Sequence, residues 1–169
     1  MYWEEFNPNA RCPIPQSLTS SSNCFANFKV GAMSGNMGLI RLMNIVRKIN
    51  DQLAIAGQIT VEQLKQIADE GYKSVINLRL PDEIDLLANE QEKTEVLGLY
   101  YVNFPTKAED LNHQSTLQIY ETIIELPKPI LIHCDNSIRS AAIALLYICI
   151  KQGVTFEKAL QKVITLGLI

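Results

Sequence analysis

The sequence predicts an α/β fold with a central, mostly parallel sheet and helices on both faces. Three observations carry this. From Met43 onward, strand-like and helix-like segments alternate, which gives parallel strands joined through covering helices. Ile130, Leu131 and Ile132 form a short, continuously apolar run, as a strand buried on both faces must. The stretch from Ser140 to Gln152 is almost wholly apolar, so it predicts a helix in the middle of the domain.

The elements follow in order. Leu53 to Ala56 reads as a short strand closed by Gly57. Thr60 opens a helix, with Gln63 three residues on completing a capping box. Val61, Leu64, Ile67 and Ala68 make its apolar face, and Gly71 stops it at C′. Lys73 to Leu78 is a strand ended by Pro81. Asp82 is expected to cap a helix running to about Leu97, stopped by Gly98. Leu99 to Phe104 is a strand ended by Pro105. Leu111 to Leu126 is helical, with Leu117, Ile119, Tyr120, Ile123 and Ile124 on the inner side. Pro127 and Pro129 break it before the strand at Ile130. The apolar helix ends at Gly153, and Thr155 caps a last helix to about Leu166.

Residues 1–42 differ in kind. They hold the Ser-rich stretch Ser17 to Ser22, Gly31, Gly35, Gly38, Pro13 and Pro15, and their hydrophobic periodicity is weak. A poorly ordered N-terminal extension is expected over 1–42, with the folded domain over 43–169. Met43 as the true start and a genuine regulatory tail are equally open.

Composition narrows the function. The 169 residues suggest one domain, and 47% hydrophobic residues suffice for a core. A net charge of −3 argues against a nucleic-acid partner. No apolar run reaches the roughly 18 residues of a membrane span, and Glu4 and Glu5 with no apolar segment argue against a secretory signal. A cytoplasmic protein without membrane or nucleic-acid partners is expected. Cys12, Cys24, Cys134 and Cys149 are scattered, and only His113 and His133 could join them, so no metal site is expected. No cofactor is implied, and the oligomeric state is left open.

The chemistry concentrates in PILIHCDNSIRS, residues 129–140. A buried strand ends at His133, and Cys134 stands at its carboxyl end, where open α/β sheets bind ligands. The loop Asp135, Asn136, Ser137, Ile138, Arg139, Ser140 leads into the buried helix. Its amides and the helix N-terminus can cradle an anion, and Arg139 offers a planar fork for oxyanions. That positive potential favours a nucleophilic thiolate at Cys134. C-x4-R spacing alone is a weak signal; the buried strand before it and the buried helix after it give it meaning.

The chain resembles the beta-lactamase-hydrolase-like, protein-phosphatase-like family of small bacterial proteins, related to the dual-specificity protein tyrosine phosphatases. The resemblance spans about Met43 to Leu168. It rests on INDQLAIAGQITVEQLKQIADEGYKSVINLR (Ile49–Arg79), LYYVNFP (Leu99–Pro105) and HCDNSIRS (His133–Ser140). It implies a three-layer phosphatase-like sandwich, with Cys134 as nucleophile, Arg139 as oxyanion ligand, and a small anionic or phosphorylated substrate.

The loop departs from these relatives. The phosphatase signature is H-C-x5-R, whereas this loop is one residue shorter, the length found in rhodanese-type sulfurtransferases. Relatives usually carry Gly at position 137; Ser137 tolerates a positive φ less well. Asp135 puts a negative charge beside the expected anion; at 5 Å and an effective dielectric near 20 the repulsion is about 3 kcal/mol. Pointing outward, it would matter little. In relatives an Asp after the Leu99–Phe104 strand is the general acid. Here Asp110 or Glu109 stand in that loop, and both also read as N-cap charges of the next helix. His133 reads as structural, Cys149 as core, His113 as exposed, and Arg79 as a surface ion pair or a site-lining group. Three functions remain: a phosphatase forming a cysteinyl-phosphate, a sulfurtransferase forming a persulfide on Cys134, and a non-catalytic anion- or partner-binding module.

Overall fold

In the computed structural model, residues 46–169 are described, and the extension expected over 1–42 lies outside them. Five strands form one sheet in the order β1-β2-β5-β3-β4. They are β1 (Val46–Asn50), β2 (Leu53–Ala56), β3 (Ser74–Asn77), β4 (Tyr100–Asn103) and β5 (Ile130–His133). The last four run parallel, while β1 pairs antiparallel with β2. The sequence reading missed β1. Its residues VRKIN are largely exposed, as an edge strand's are, and give no apolar run to find.

The helices are α1 (Val61–Asp69), α2 (Glu90–Val96), α3 (His113–Glu125), α4 (Ile138–Lys151) and α5 (Phe156–Thr165). The α1 capping box forms as its sequence requires, with Thr60 and Gln63 exchanging bonds, and Gly71 adopts φ +87 beyond the C-cap. The sheet is covered on both sides. One face buries Ala54, Ala56, Val75 and Leu131 under Leu64 and Ile67 of α1, with Leu87, Leu97 and Leu99. Alternation turns Ile55, Ile76 and Ile132 to the other face, where α4 lies on β2 and β5, flanked by α3 and α5. Among the described residues, no helix is long and apolar enough to cross a membrane.

Four expectations need correction. The helix from Asp82 to Leu97 shrinks to α2. Asp85 and Asn89 take positive φ, and Arg79 captures the carbonyls of Ile84 and Asp85 that helix amides would use. Tertiary hydrogen bonding overrides local propensity there. On α3, Ile119 and Ile123 are buried, but Leu117 and Ile124 stay exposed. Finally, α4 begins at Ile138, two residues before Ser140, and Thr155 precedes α5 without making a side-chain cap bond to its backbone.

Candidate functional site: a thiol loop at the carboxyl edge of the sheet

Four parallel strands end along one edge, and β5 lies between β2 and β3. His133, its last residue, pairs with Ala56 on one side and Asn77 on the other. Cys134 follows directly, so the loops after β2 and β3 flank its loop. The β2 side is close. Gln58 N donates to Asp135 O at 2.9 Å, and a Cβ on Gly57 would meet that same carbonyl at 2.9 Å. Gly57 is needed here for close approach of two backbones.

Cys134 is fully buried, with Sγ donating to Ser140 Oγ at 3.8 Å. The Ser140 hydroxyl lies 3.0 Å from both Ala56 O and Ser137 O. With its proton claimed by a carbonyl, Ser140 receives the S–H; a thiolate would require it to turn its proton toward sulfur. Ser137 takes φ +72 at the N-cap of α4, so the position read as glycine-like is indeed left-handed. Ile138 N is satisfied by Asn136 Oδ1 at 3.0 Å.

Arg139 comes from the first turn of α4 and is only 12% exposed. Glu83 takes both ends of its fork, at 2.6 Å to Nη1 and 2.7 Å to Nη2. Asp135 Oδ1 accepts a further bond from Nη2 at 2.9 Å. Leu78 O and Thr106 O accept from Nη1 at 3.3 and 3.1 Å. Five acceptors thus share four terminal hydrogens. Arg79, read as a surface ion pair or a site-lining group, is buried, which overturns the first of these. It donates Nε to Glu83 at 3.0 Å and the rest of its fork to Gln58 and the carbonyls of Ile84 and Asp85. Two arginines against two carboxylates leave the centre formally neutral, so the uncompensated positive potential expected of Arg139 is cancelled within the protein.

The titration shifts express the same arrangement. The Arg139 hydrogen bonds, opposed by partial burial and helped by the Leu80 amide and Arg79, bring Glu83 down to about 2. Glu83 is therefore a permanent anion at neutral pH and no proton donor. Burial pushes the Asp135 carboxyl up, but Arg139 and the amides of Asn136 and Asp135 together hold it below the usual range. Arg139 is raised, chiefly by Glu83. Asp135 is 44% exposed, yet its Oδ1 stays bound to the Arg139 guanidinium rather than standing clear of the loop.

Behind the loop lies a buried polar group. His133 Nε2 sits 2.6 Å from Glu90 Oε1, although neither ring nitrogen gains a hydrogen bond of acceptable angle. Asn77 Nδ2 donates to Glu90 Oε2 at 3.3 Å and Tyr101 Oη at 3.0 Å, while its Oδ1 accepts from Arg79 N. His133, read from sequence as structural, is fully buried beside Glu90. Glu109 and Asp110 fall in a short 3-10 turn, Ala108–Asp110, and both are exposed. Asn112, not either acid, caps α3. Neither carboxylate bonds to Cys134 or Arg139 among the described residues, though Thr106 ties their loop to Arg139.

Glu83, Gln58, Asn77 and Glu90 were not singled out from sequence. Glu83 was detectable only as an i+4 partner of Arg79. Asn77 was detectable as a lone amide between Ile76 and Leu78 in a buried strand.

The mixed five-stranded sheet with helices on both faces is an α/β fold of the phosphatase-like class. The chain belongs to the family "Beta-lactamase hydrolase-like protein, phosphatase-like domain", whose model matches residues 45–150. It is 28% identical over 103 residues to the Beta-lactamase hydrolase-like protein of Agrobacterium fabrum, covering 59% of this chain. The match spans only 24% of that longer relative. Among solved structures, a candidate phosphatase (DUF442) of Shewanella putrefaciens CN-32 aligns with TM-score 0.61 and 24% identity, over 74% of this chain and 83% of that one. Tk-PTP in its active form gives 0.56 and 20%, over 72% and 83%. P. aeruginosa TpbA in complex with pTyr gives 0.56 and 14%, over 75% of each chain. At these identities the structural likenesses establish the fold.

Proposed function

We propose that this protein is a cysteine-dependent phosphatase whose activity is restrained by its own carboxylates. The supporting observation is the placement of Cys134 and Arg139 on one loop at the carboxyl edge, in a family named for its phosphatase-like domain. Cys134 as thiolate attacks phosphorus and forms a cysteinyl-phosphate as the P–O bond to the leaving group breaks. Arg139 and loop amides hold the equatorial oxygens, and Asp110 or Glu109 protonates the departing alkoxide. Water then hydrolyses the thiophosphate. For a dianion to enter, Asp135 must give up its bonds to Arg139 and the amides, while Glu83 keeps the guanidinium plane oriented.

A second reading has one observation in its favour. Four residues between Cys134 and Arg139 make a loop sized for a single sulfane sulfur, so Cys134 could carry a persulfide instead. The two are separated by assaying wild type and Cys134→Ser with para-nitrophenyl phosphate and with thiosulfate. The phosphatase reading requires slow, Cys134-dependent phosphate release. A gain of one sulfur on the intact protein with no phosphate release would replace it with the sulfurtransferase. Neither activity would leave a non-catalytic binding module.

A further inference from the structure

Arg79 is a buried cation that the chemistry at Cys134 does not use. It is 4% exposed, and a charge is costly to bury unless it is paired and hydrogen-bonded. Its guanidinium reaches three places. Nε donates to Glu83 Oε2 at 3.0 Å, Nη1 donates to Gln58 Oε1 and, at 3.1 Å, to Asp85 O, and Nη2 donates to Ile84 O.

Glu83 links this cation to the thiol loop. Each of its oxygens accepts two hydrogen bonds. Oε1 takes Arg139 Nη1 at 2.6 Å and the Leu80 amide at 2.9 Å; Oε2 takes Arg139 Nη2 at 2.7 Å and Arg79 Nε at 3.0 Å. A fork-to-fork pair ties the guanidinium plane to the carboxylate plane, so Arg139 is oriented only as well as Glu83 is. The Leu80 amide and Arg79 Nε fix that carboxylate, one on each oxygen. The backbone beneath it belongs to no helix or strand. Glu83 lies in the turns between β3 and α2, where Asp85 takes φ +60. Arg79 closes that segment by binding the carbonyls of Ile84 and Asp85. One arginine therefore fixes both the Glu83 side chain and the chain that carries it.

A second arm reaches the other side of the loop. Gln58, whose side chain meets Arg79, donates its own amide to Asp135 O at 2.9 Å. Arg139 Nη2 is bound to Asp135 Oδ1, so the contacts close into a ring: Asp135, Gln58, Arg79, Glu83, Arg139 and back to Asp135. Arg79 reaches Asp135 and Arg139 through a single intermediate residue on either side.

We propose that Arg79 is a positioning residue for oxyanion binding, acting through Glu83 on the Arg139 guanidinium and through Gln58 on the Asp135 backbone. The role rests on Arg139 being an oxyanion ligand, as proposed above. Tungstate affinity, measured by titration calorimetry on the full chain, tests it in wild type, Arg79→Lys, Glu83→Gln and the double variant. Lysine keeps the charge but lacks the planar fork that serves Glu83, Gln58 and two carbonyls together. Arg79→Lys should weaken tungstate binding about tenfold, a coupling usual within one hydrogen-bonded network. In the Glu83→Gln background the same substitution should weaken it by less than about threefold, because the main path is already cut. A purely structural Arg79 would lower the melting temperature and leave the tungstate affinity of the folded protein unchanged. Gln58→Leu is the second variant, decisive if Arg79→Lys does not fold. It keeps the Gln58 amide on Asp135, removes the side-chain tether of Arg79, and should weaken tungstate about threefold. Unchanged affinity in Arg79→Lys, or in Gln58→Leu should the first not fold, would overturn the proposal and leave the anion site standing. Equal losses with and without Glu83 would overturn it as well. Tungstate binding that is absent from wild type, or that survives Arg139→Lys undiminished, would overturn the anion site and this role together.

Discussion

Glu83→Gln removes the anion that holds Arg139 while keeping side-chain size. In the folded protein the Glu83 carboxyl is brought from 4.5 to about 2, chiefly by Arg139. At 1.36 kcal/mol per pH unit this amounts to about 3 kcal/mol of stability, an upper value because the side chain is 20% exposed. For a domain of this size the loss should lower the melting temperature by about 6–10 °C at pH 7. A depressed carboxyl stabilises the fold fully above its unfolded value near 4.5 and loses that effect as pH falls toward 2. At pH 3 it is worth only about 1.4 kcal/mol. Urea unfolding of wild type and variant from pH 7 to pH 3 measures this. Wild type should be more stable at pH 7, with the gap more than halved by pH 3. A gap that is absent at pH 7, or undiminished at pH 3, would refute the ion pair as the organiser of Arg139.

Two further substitutions test the loop. Ser137→Gly should raise stability by roughly 0.5–1 kcal/mol, because it relieves a left-handed non-glycine conformation, less the added freedom of the unfolded chain; urea midpoints report it. Gly57→Ala should cost about 1–3 kcal/mol and weaken oxyanion binding, since its Cβ would press on Asp135 O; tungstate titration together with melting checks both parts.

Much of the fold was legible because its signals are local and strong. The capping box at Thr60 and Gln63, Gly71 beyond it, the apolar β5 and the apolar α4 need only short-range pattern. The position of Cys134 followed from the strand before it and the helix after it, and the left-handed φ of Ser137 from the glycine that the resembling family usually carries there. What was not legible depends on contacts between distant residues. Glu83 meets Arg139 across 56 positions, and Arg79 breaks the expected helix after Asp82 by taking its carbonyls. The exposed Leu117 shows the same limit: helical periodicity marks a face as apolar without saying whether another element covers it.

The central claim is that Cys134 and Arg139 form an anion-processing site which Asp135 restrains by occupying it. The kcat/KM for para-nitrophenyl phosphate, compared between wild type and Asp135→Asn, tests it most directly. Two unit charges about 5 Å apart repel by about 3 kcal/mol at an effective dielectric near 20, and the 44% exposure of Asp135 reduces this. A gain of about tenfold is therefore expected, abolished by adding Cys134→Ser. An unchanged or lower kcat/KM in Asp135→Asn, with the fold intact, would contradict the account.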